Sequence, residues 1–141
     1  MANIPFKILG LHQVAIGALE KEPLEKFFEE LLGLKKTSEE TLKKENLIES
    51  AYKLADGATI DIMQPIDPEK KPTVHKPPLH HIGLRVDNIE AAHNWLKEKG
   101  VRIAPGGIRS GAGGKKIFFT HPKGNEESPI GSHVLLEFIE D

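Results

Sequence analysis

The 141-residue chain contains no cysteine. Disulfides, thiolate zinc sites, iron–sulfur clusters and cysteine nucleophiles are therefore excluded. Any metal ion that the protein binds must be held by nitrogen and oxygen ligands.

The sequence also lacks an excess of charge, because 19 Lys and Arg residues stand against 21 Asp and Glu residues. This balance argues against broad nucleic-acid binding. No apolar run approaches the roughly 20 residues that a membrane span needs, and the start MANIPFKILGLHQ lacks the features of a signal peptide. We therefore expect no nucleic-acid partner, no membrane association, a cytoplasmic location and one domain.

Two halves of the chain share one plan. The stretch from Leu11 to Ile16 reads LHQVAI and that from Leu79 to Leu84 reads LHHIGL, each alternating like a half-buried strand. Each is followed by an amphipathic stretch and then by strand-like segments. The helices are expected at about 23–34 and 89–99, and the strands at 47–54, 58–63, 116–120 and 133–139, with a further short strand near 101–104. This repetition indicates a duplicated unit.

Alternation along the strands predicts which polar side chains share a face. It places Gln13 and His81 at equivalent positions, opposite the helix-facing apolar residues. Asp61 and Glu137 are equivalent acids within apolar strands, where a carboxylate needs a partner or ligand. His12 is the alternate to Gln13, because a one-residue bulge would reverse the facing.

Packing of the halves about a pseudo-twofold axis would bring these four side chains together. One imidazole and two or three oxygens suit a divalent metal ion such as zinc, nickel, cobalt, manganese or iron(II). The alternative is that each of the four is an ordinary exposed polar residue.

These residues resemble those of the vicinal oxygen chelate superfamily, which includes glyoxalase I, extradiol dioxygenases and bleomycin-resistance proteins. The stretch GAGGKKIFFTHPK, from Gly111 to Lys123, is most similar to the methylmalonyl-CoA epimerase branch. The resemblance implies a glyoxalase-like α+β fold. In it, two tandem βαβββ modules at about 9–65 and 79–140, joined by a linker at 66–78, form a cupped mixed sheet. It also implies a divalent metal held by Gln13 (or His12), Asp61, His81 and Glu137.

The resemblance implies a metal-dependent epimerase or isomerase of a 2-substituted acyl thioester such as methylmalonyl-CoA. In that chemistry the metal stabilises an enolate, while a carboxylate moves the proton. Glu137 is the expected base and Glu45 the second acid, with Glu49 as its alternate. The alternatives are a glyoxalase I-like lactoylglutathione lyase and a metal-free small-molecule binding or resistance protein. The family resemblance also implies a homodimer.

A glycine-rich stretch, from Gly106 to Gly114, precedes Lys115 and Lys116. Glycines allow close backbone approach and the lysines add positive charge, so this region is a candidate for binding a substrate phosphate or carboxylate. His121, at the end of the following strand, is a further candidate for substrate binding. Arg85, Arg109 and Lys123 are other cations that could meet an anionic substrate.

Overall fold

The computed structural model describes residues 3–76, 78–122 and 135–141. The described strands and helices follow the order strand, helix, three strands, and this order occurs twice. The predicted α+β class and the βαβββ repeat are therefore confirmed. The chain forms two compact units, residues 13–80 (the first unit) and residues 1–12 with 81–141 (the second unit).

The first unit is a four-stranded sheet with strand order β2-β3-β4-β1. β1 pairs in parallel with β4, and the other two pairings are antiparallel. Its elements are β1 (Ile8–Gly17, of which residues 13–17 belong to this unit), α1 (Glu22–Lys26), β2 (Lys36–Leu42), β3 (Leu47–Lys53) and β4 (Thr59–Pro65).

The helical segment of the first unit is shorter than predicted. α1 has five residues and continues as a five-residue π-helical turn, Phe27–Leu31. Phe28 packs against Tyr52 and Ile62 in the core, whereas Phe27 and Leu31 are 46% and 73% exposed. The expectation of a single buried helical face over 23–34 was wrong, because the π turn changes the angular spacing on which that pattern depends.

Asn46 fixes the segment that follows β4. Its backbone is left-handed, with φ 58°, and its side-chain amide donates to the carbonyls of Asp67 at 2.8 Å and Lys70 at 3.0 Å. Its side-chain oxygen accepts from the backbone N–H of Asp67 at 2.9 Å. The buried side-chain amide of Asn46 thus supplies hydrogen-bond partners to backbone groups of this irregular segment, which have none in a regular helix or sheet.

Replacement of Asn46 by Ala is expected to destabilise the protein by about 2 kcal/mol, because several hydrogen bonds are lost and the left-handed backbone is strained. Asn46→Gly should cost less, since glycine adopts this conformation without strain. Urea unfolding of both variants measures the difference. Two variants as stable as the wild type would contradict the role assigned to this amide.

The second unit is a four-stranded sheet with strand order β5-β8-β7-β6. β5 pairs in parallel with β8, and β8 with β7 and β7 with β6 are antiparallel. Its elements are β5 (Leu79–Val86, from residue 81 in this unit), α2 (Ile89–Glu98), β6 (Arg109–Ser110), β7 (Lys116–Thr120) and β8 (Leu135–Glu140).

α2 covers one face of this sheet. The side chain of Asn88 caps the helix by accepting from the backbone N–H of Ala91 at 3.0 Å. Ile89 and the stacked rings of Phe118 and Phe138, 4.8 Å apart, form the core beneath it. Since successive strand residues alternate, the residues next to these phenylalanines face the other side of the sheet.

Two predicted strands of the second half differ in the structure. Residues 101–104 form only a single bridge, between Ile103 and Thr120, and the edge strand is Arg109–Ser110 instead. The strand predicted at 133–139 corresponds to β8, Leu135–Glu140, while His133 and Val134 lie outside the described residues. Among the described residues, no helix is long and apolar enough to cross a membrane.

Candidate functional site

Each unit places an acid opposite a small residue of its first strand. In the first unit Asp61 is in register with Ala15, and in the second unit Glu137 is in register with Gly83. Gln13 and His81 stand two residues before these small residues and therefore share their faces. The two units repeat the same arrangement of one polar residue, one small residue and one facing acid.

The pair in the second unit is buried and close. His81 and Glu137 are 9% and 8% exposed, and 3.8 Å separates His81 Nε2 from Glu137 Oε1. This distance exceeds that of a hydrogen bond. Two ligands about 2.1 Å from one metal ion lie about 3.4 Å apart in tetrahedral geometry. The pair therefore fits two positions on a divalent ion after a small closure.

In the first unit, Gln13 and Asp61 are 6% and 9% exposed. The register of β1 with β4 runs without a bulge from Gln13 to Gly17, so Gln13 shares the face of Asp61 and His12 lies on the opposite face. The structure thus favours Gln13 over its alternate. Residues 3–76, 78–122 and 135–141 contain no cluster of three His, Asp or Glu side chains that could hold a metal ion. Further ligands of an ion held by the pair of His81 and Glu137 would include water or substrate.

The two candidates for the second acid lie in different surroundings. Glu45 is exposed and ends a short 3-10 turn that precedes β3. Glu49 lies half-buried on β3, in register with Met63. Because Asp61 is two residues before Met63, Glu49 shares the sheet face of Asp61. The register favours Glu49 over Glu45 as the acid on this face.

The predicted substrate-binding cations do not share one face. Lys116 Nζ donates to Glu90 of α2 at 2.8 Å, on the helix side of the sheet. This ion pair raises the pKa of Lys116 and lowers that of Glu90. Lys115 is exposed, and His121 is half-buried, with its backbone N–H bonded to the carbonyl of Arg102 at 2.8 Å. Of these, Lys115 alone is an exposed lysine without a described ion pair.

Phe119 is a site residue that the sequence reasoning missed. It is in register with Glu137, and its ring meets the His81 ring edge to face, with the centroids 5.9 Å apart. An aromatic edge against the imidazole restricts its rotation and excludes water from one side. The signal available in the sequence was the alternation of β7, where Phe119 faces away from the buried Phe118.

Comparisons with known proteins identify the family of the chain. The sequence profile of the Glyoxalase/Bleomycin resistance protein/Dioxygenase superfamily matches residues 12–119. The mitochondrial methylmalonyl-CoA epimerase of Mus musculus is 28% identical over 123 residues, which cover 84% of this chain and 68% of the mouse protein.

Solved structures share the fold. The methylmalonyl-CoA epimerase of Mycobacterium tuberculosis superposes with a TM-score of 0.76 at 24% identity, covering 94% of this chain and 88% of that one. A methylmalonyl-CoA epimerase in complex with methylmalonyl-CoA and NH4+ superposes with a TM-score of 0.75 at 19% identity, covering 96% of each chain. Since the profile match spans more than half of the sequence, the chain belongs to the Glyoxalase/Bleomycin resistance protein/Dioxygenase superfamily.

Proposed function

We propose that the protein is a metal-dependent epimerase of a 2-substituted acyl thioester, with methylmalonyl-CoA as the named case. The observation that carries the proposal is the buried pair of His81 and Glu137. It lies on one face of a βαβββ unit in a chain whose relatives include a methylmalonyl-CoA epimerase. The homodimer and the cytoplasmic location stay predictions.

The donor set suits a divalent ion. His81 offers an imidazole nitrogen, and Glu137, Asp61 and Gln13 offer oxygens, which are the ligand types of zinc, cobalt, nickel and manganese. That all four serve one ion is a prediction from the sequence repeat and the family. A bound divalent ion supplies a Lewis acid that makes the proton next to the thioester carbonyl easier to remove.

The residues of the chain carry the proton transfer. Glu137 takes the proton from the carbon between the two carbonyl groups, and it is held among buried groups that keep bulk water away. Epimerisation requires the proton to return to the opposite face of that carbon, so a second acid is needed. Glu49 is the candidate that the register of β3 favours.

The function is tested by hydrogen exchange at the C2 carbon of methylmalonyl-CoA in heavy water, followed by mass spectrometry. Protein purified without chelators and loaded with cobalt is expected to incorporate deuterium at C2 and to interconvert the two epimers. Absence of exchange by the metal-loaded protein would refute the proposal. Turnover of the hemithioacetal of a thiol and a 2-oxoaldehyde, without C2 exchange, would instead identify a glyoxalase I-like lyase.

Removal of the metal gives a separate prediction. Dialysis against a chelator is expected to lower the exchange rate by at least about tenfold, because the proton loses its Lewis-acid activation. Addition of cobalt or nickel should restore the rate. The metal content is measured in parallel by atomic emission, and undiminished exchange in protein shown to be metal-free would contradict metal dependence.

A further inference from the structure

Arg109 contacts the aromatic ring of Phe119, and His81 contacts the same ring. Its guanidinium carbon is 5.3 Å from the ring centroid of Phe119, and that ring contacts His81 edge to face. Phe119 is in register with Glu137. Arg109, Phe119 and the pair of His81 and Glu137 all belong to the second unit. These contacts therefore lie within one compact unit.

The strand register explains this position. Arg109, on the edge strand β6, is in register with Ile117 of β7, and Ile117 and Phe119 share a face because they are two residues apart. Gly106 leaves room for the side chain, since a Cβ there would stand 2.8 Å from Arg109 Nη1. The same glycine has φ +100°, a conformation that side chains disfavour.

The charge of Arg109 is not neutralised by a carboxylate of the described residues. Nη1 donates to the carbonyl of Pro105 at 3.3 Å, and the remaining described contact is the face of Phe119. In contrast, Arg85 of this unit pairs with Asp141 at 3.3 Å, and Lys116 pairs with Glu90 at 2.8 Å. A guanidinium has five N–H donors, and stacking on the ring holds it in place while most of them remain exposed.

An oriented guanidinium with no acidic partner in the part of the chain that the structure describes suits a planar or tetrahedral oxyanion, which it can bind through two parallel hydrogen bonds. We infer that Arg109 binds an anionic oxygen group of the thioester substrate. Two parts of such a substrate carry this chemistry, the free carboxylate of the acyl group and the phosphates of the CoA carrier. The inference rests on the proposed function for the class of substrate.

Replacement of Arg109 by Gln is expected to weaken substrate binding about 10- to 100-fold, the effect of losing charge-assisted hydrogen bonds. If the bound group is a CoA phosphate, which is remote from the reacting carbon, the turnover number should change much less than KM; if it is the carboxylate, which is bonded to that carbon, the turnover number should fall as well. Arg109→Lys should recover part of the affinity. Lys97→Gln is the matched control, since it removes the same charge from an exposed position of α2.

Calorimetric binding to three thioesters distinguishes the two anions. Methylmalonyl-CoA has both groups, methylmalonyl-pantetheine lacks the phosphates, and propionyl-CoA lacks the carboxylate. A loss confined to methylmalonyl-CoA and propionyl-CoA identifies a phosphate as the bound group. A loss confined to the two methylmalonyl thioesters identifies the carboxylate.

Equal affinity of the wild type and Arg109→Gln for all three thioesters would overturn the inference, and so would wild-type protein that binds none of them. Circular dichroism and thermal melting of the Gln and Lys variants check that both remain folded. If the wild type binds thioesters through Arg109 but catalyses no C2 exchange, the proposed function fails while this inference stands.

Discussion

Glu137→Gln is expected to lower the rate of C2 proton exchange by about three orders of magnitude, within the range that general acid–base groups contribute. Glutamine matches glutamate in size and keeps an oxygen that can ligate a metal, but it cannot accept the proton. The side chain is 8% exposed, so bulk water is a poor substitute for the missing base. Exchange at C2 in heavy water, at saturating thioester, measures the loss.

The matched control is Glu140→Gln, on the same strand. Glu140 is half-buried and accepts a hydrogen bond from the backbone N–H of Ile89 at 3.1 Å, at the start of α2. The Glu140→Gln variant is expected to keep the wild-type rate of C2 exchange. Metal analysis of Glu137→Gln adds a second measurement. A variant that retains the metal but loses exchange shows that Glu137 is needed as the base and not only as a metal ligand. Full activity in Glu137→Gln would refute the assignment of this residue as the base.

The sequence predicts which candidate ligands share a face of the sheet, because successive side chains along a strand point to opposite faces. His81 and Glu137 lie opposite the helix-facing apolar residues of their strands, and the register of β5 with β8 places them on one face. The same argument selected Gln13 and Asp61. Alternation specifies a face, but it does not specify distance, so the 3.8 Å between His81 and Glu137 required the structure.

The elements that the sequence did not predict are those without an apolar pattern. β2 (Lys36–Leu42) reads KTSEETL and is exposed along most of its length, because it is the edge strand of its sheet. An edge strand buries little, so its sequence resembles that of a solvated loop. β6 has two residues, both exposed, and the same reason applies. The position of Arg109 beside Phe119 follows from that short strand and could not be predicted without it.

The choice between Glu45 and Glu49 depended on a turn that the sequence did not reveal. Glu45 is the first candidate from the sequence and Glu49 its alternate, but the residues before β3 form a 3-10 turn that ends at the left-handed Asn46. This turn places Glu45 outside the sheet, and the alternation of β3 then places Glu49 on the face of Asp61. The turn and the left-handed Asn46 therefore determine which of the two acids shares the face of Asp61.

A buried carboxylate on α1, Glu25, carries the second prediction with a large effect. Lys21 Nζ lies 2.9 Å from Glu25 Oε1, Lys36 forms a second ion pair with Glu25, and the Ser50 hydroxyl donates to Glu25 Oε2 at 3.0 Å. Burial by itself would raise the pKa of Glu25, but these hydrogen bonds, that from Lys36 first, outweigh it and lower the pKa to about 2 from 4.5.

The sign of the pH effect follows from this difference. Since the pKa of Glu25 is lower in the folded protein, its ionisation stabilises the fold above the unfolded value of 4.5, and this contribution is lost as the pH falls toward about 2. A difference of this size corresponds to about 3 kcal/mol of unfolding free energy at neutral pH. Glu25→Gln should therefore be less stable than the wild type by about 3 kcal/mol at pH 7, because two lysines lose their shared partner.

Urea unfolding of both proteins from pH 7 to pH 2 tests the prediction. The stability difference between wild type and Glu25→Gln should be constant at neutral pH and should shrink steadily below about pH 4.5. Glu22→Gln is the matched control on the same helix, since Glu22 is 78% exposed and pairs with Lys26 at 3.5 Å. Exposed ion pairs contribute less than about 1 kcal/mol, so this control should stay close to the wild type. A difference for Glu25→Gln that does not vary with pH would show that its cost comes from packing and not from the charge that the two lysines hold.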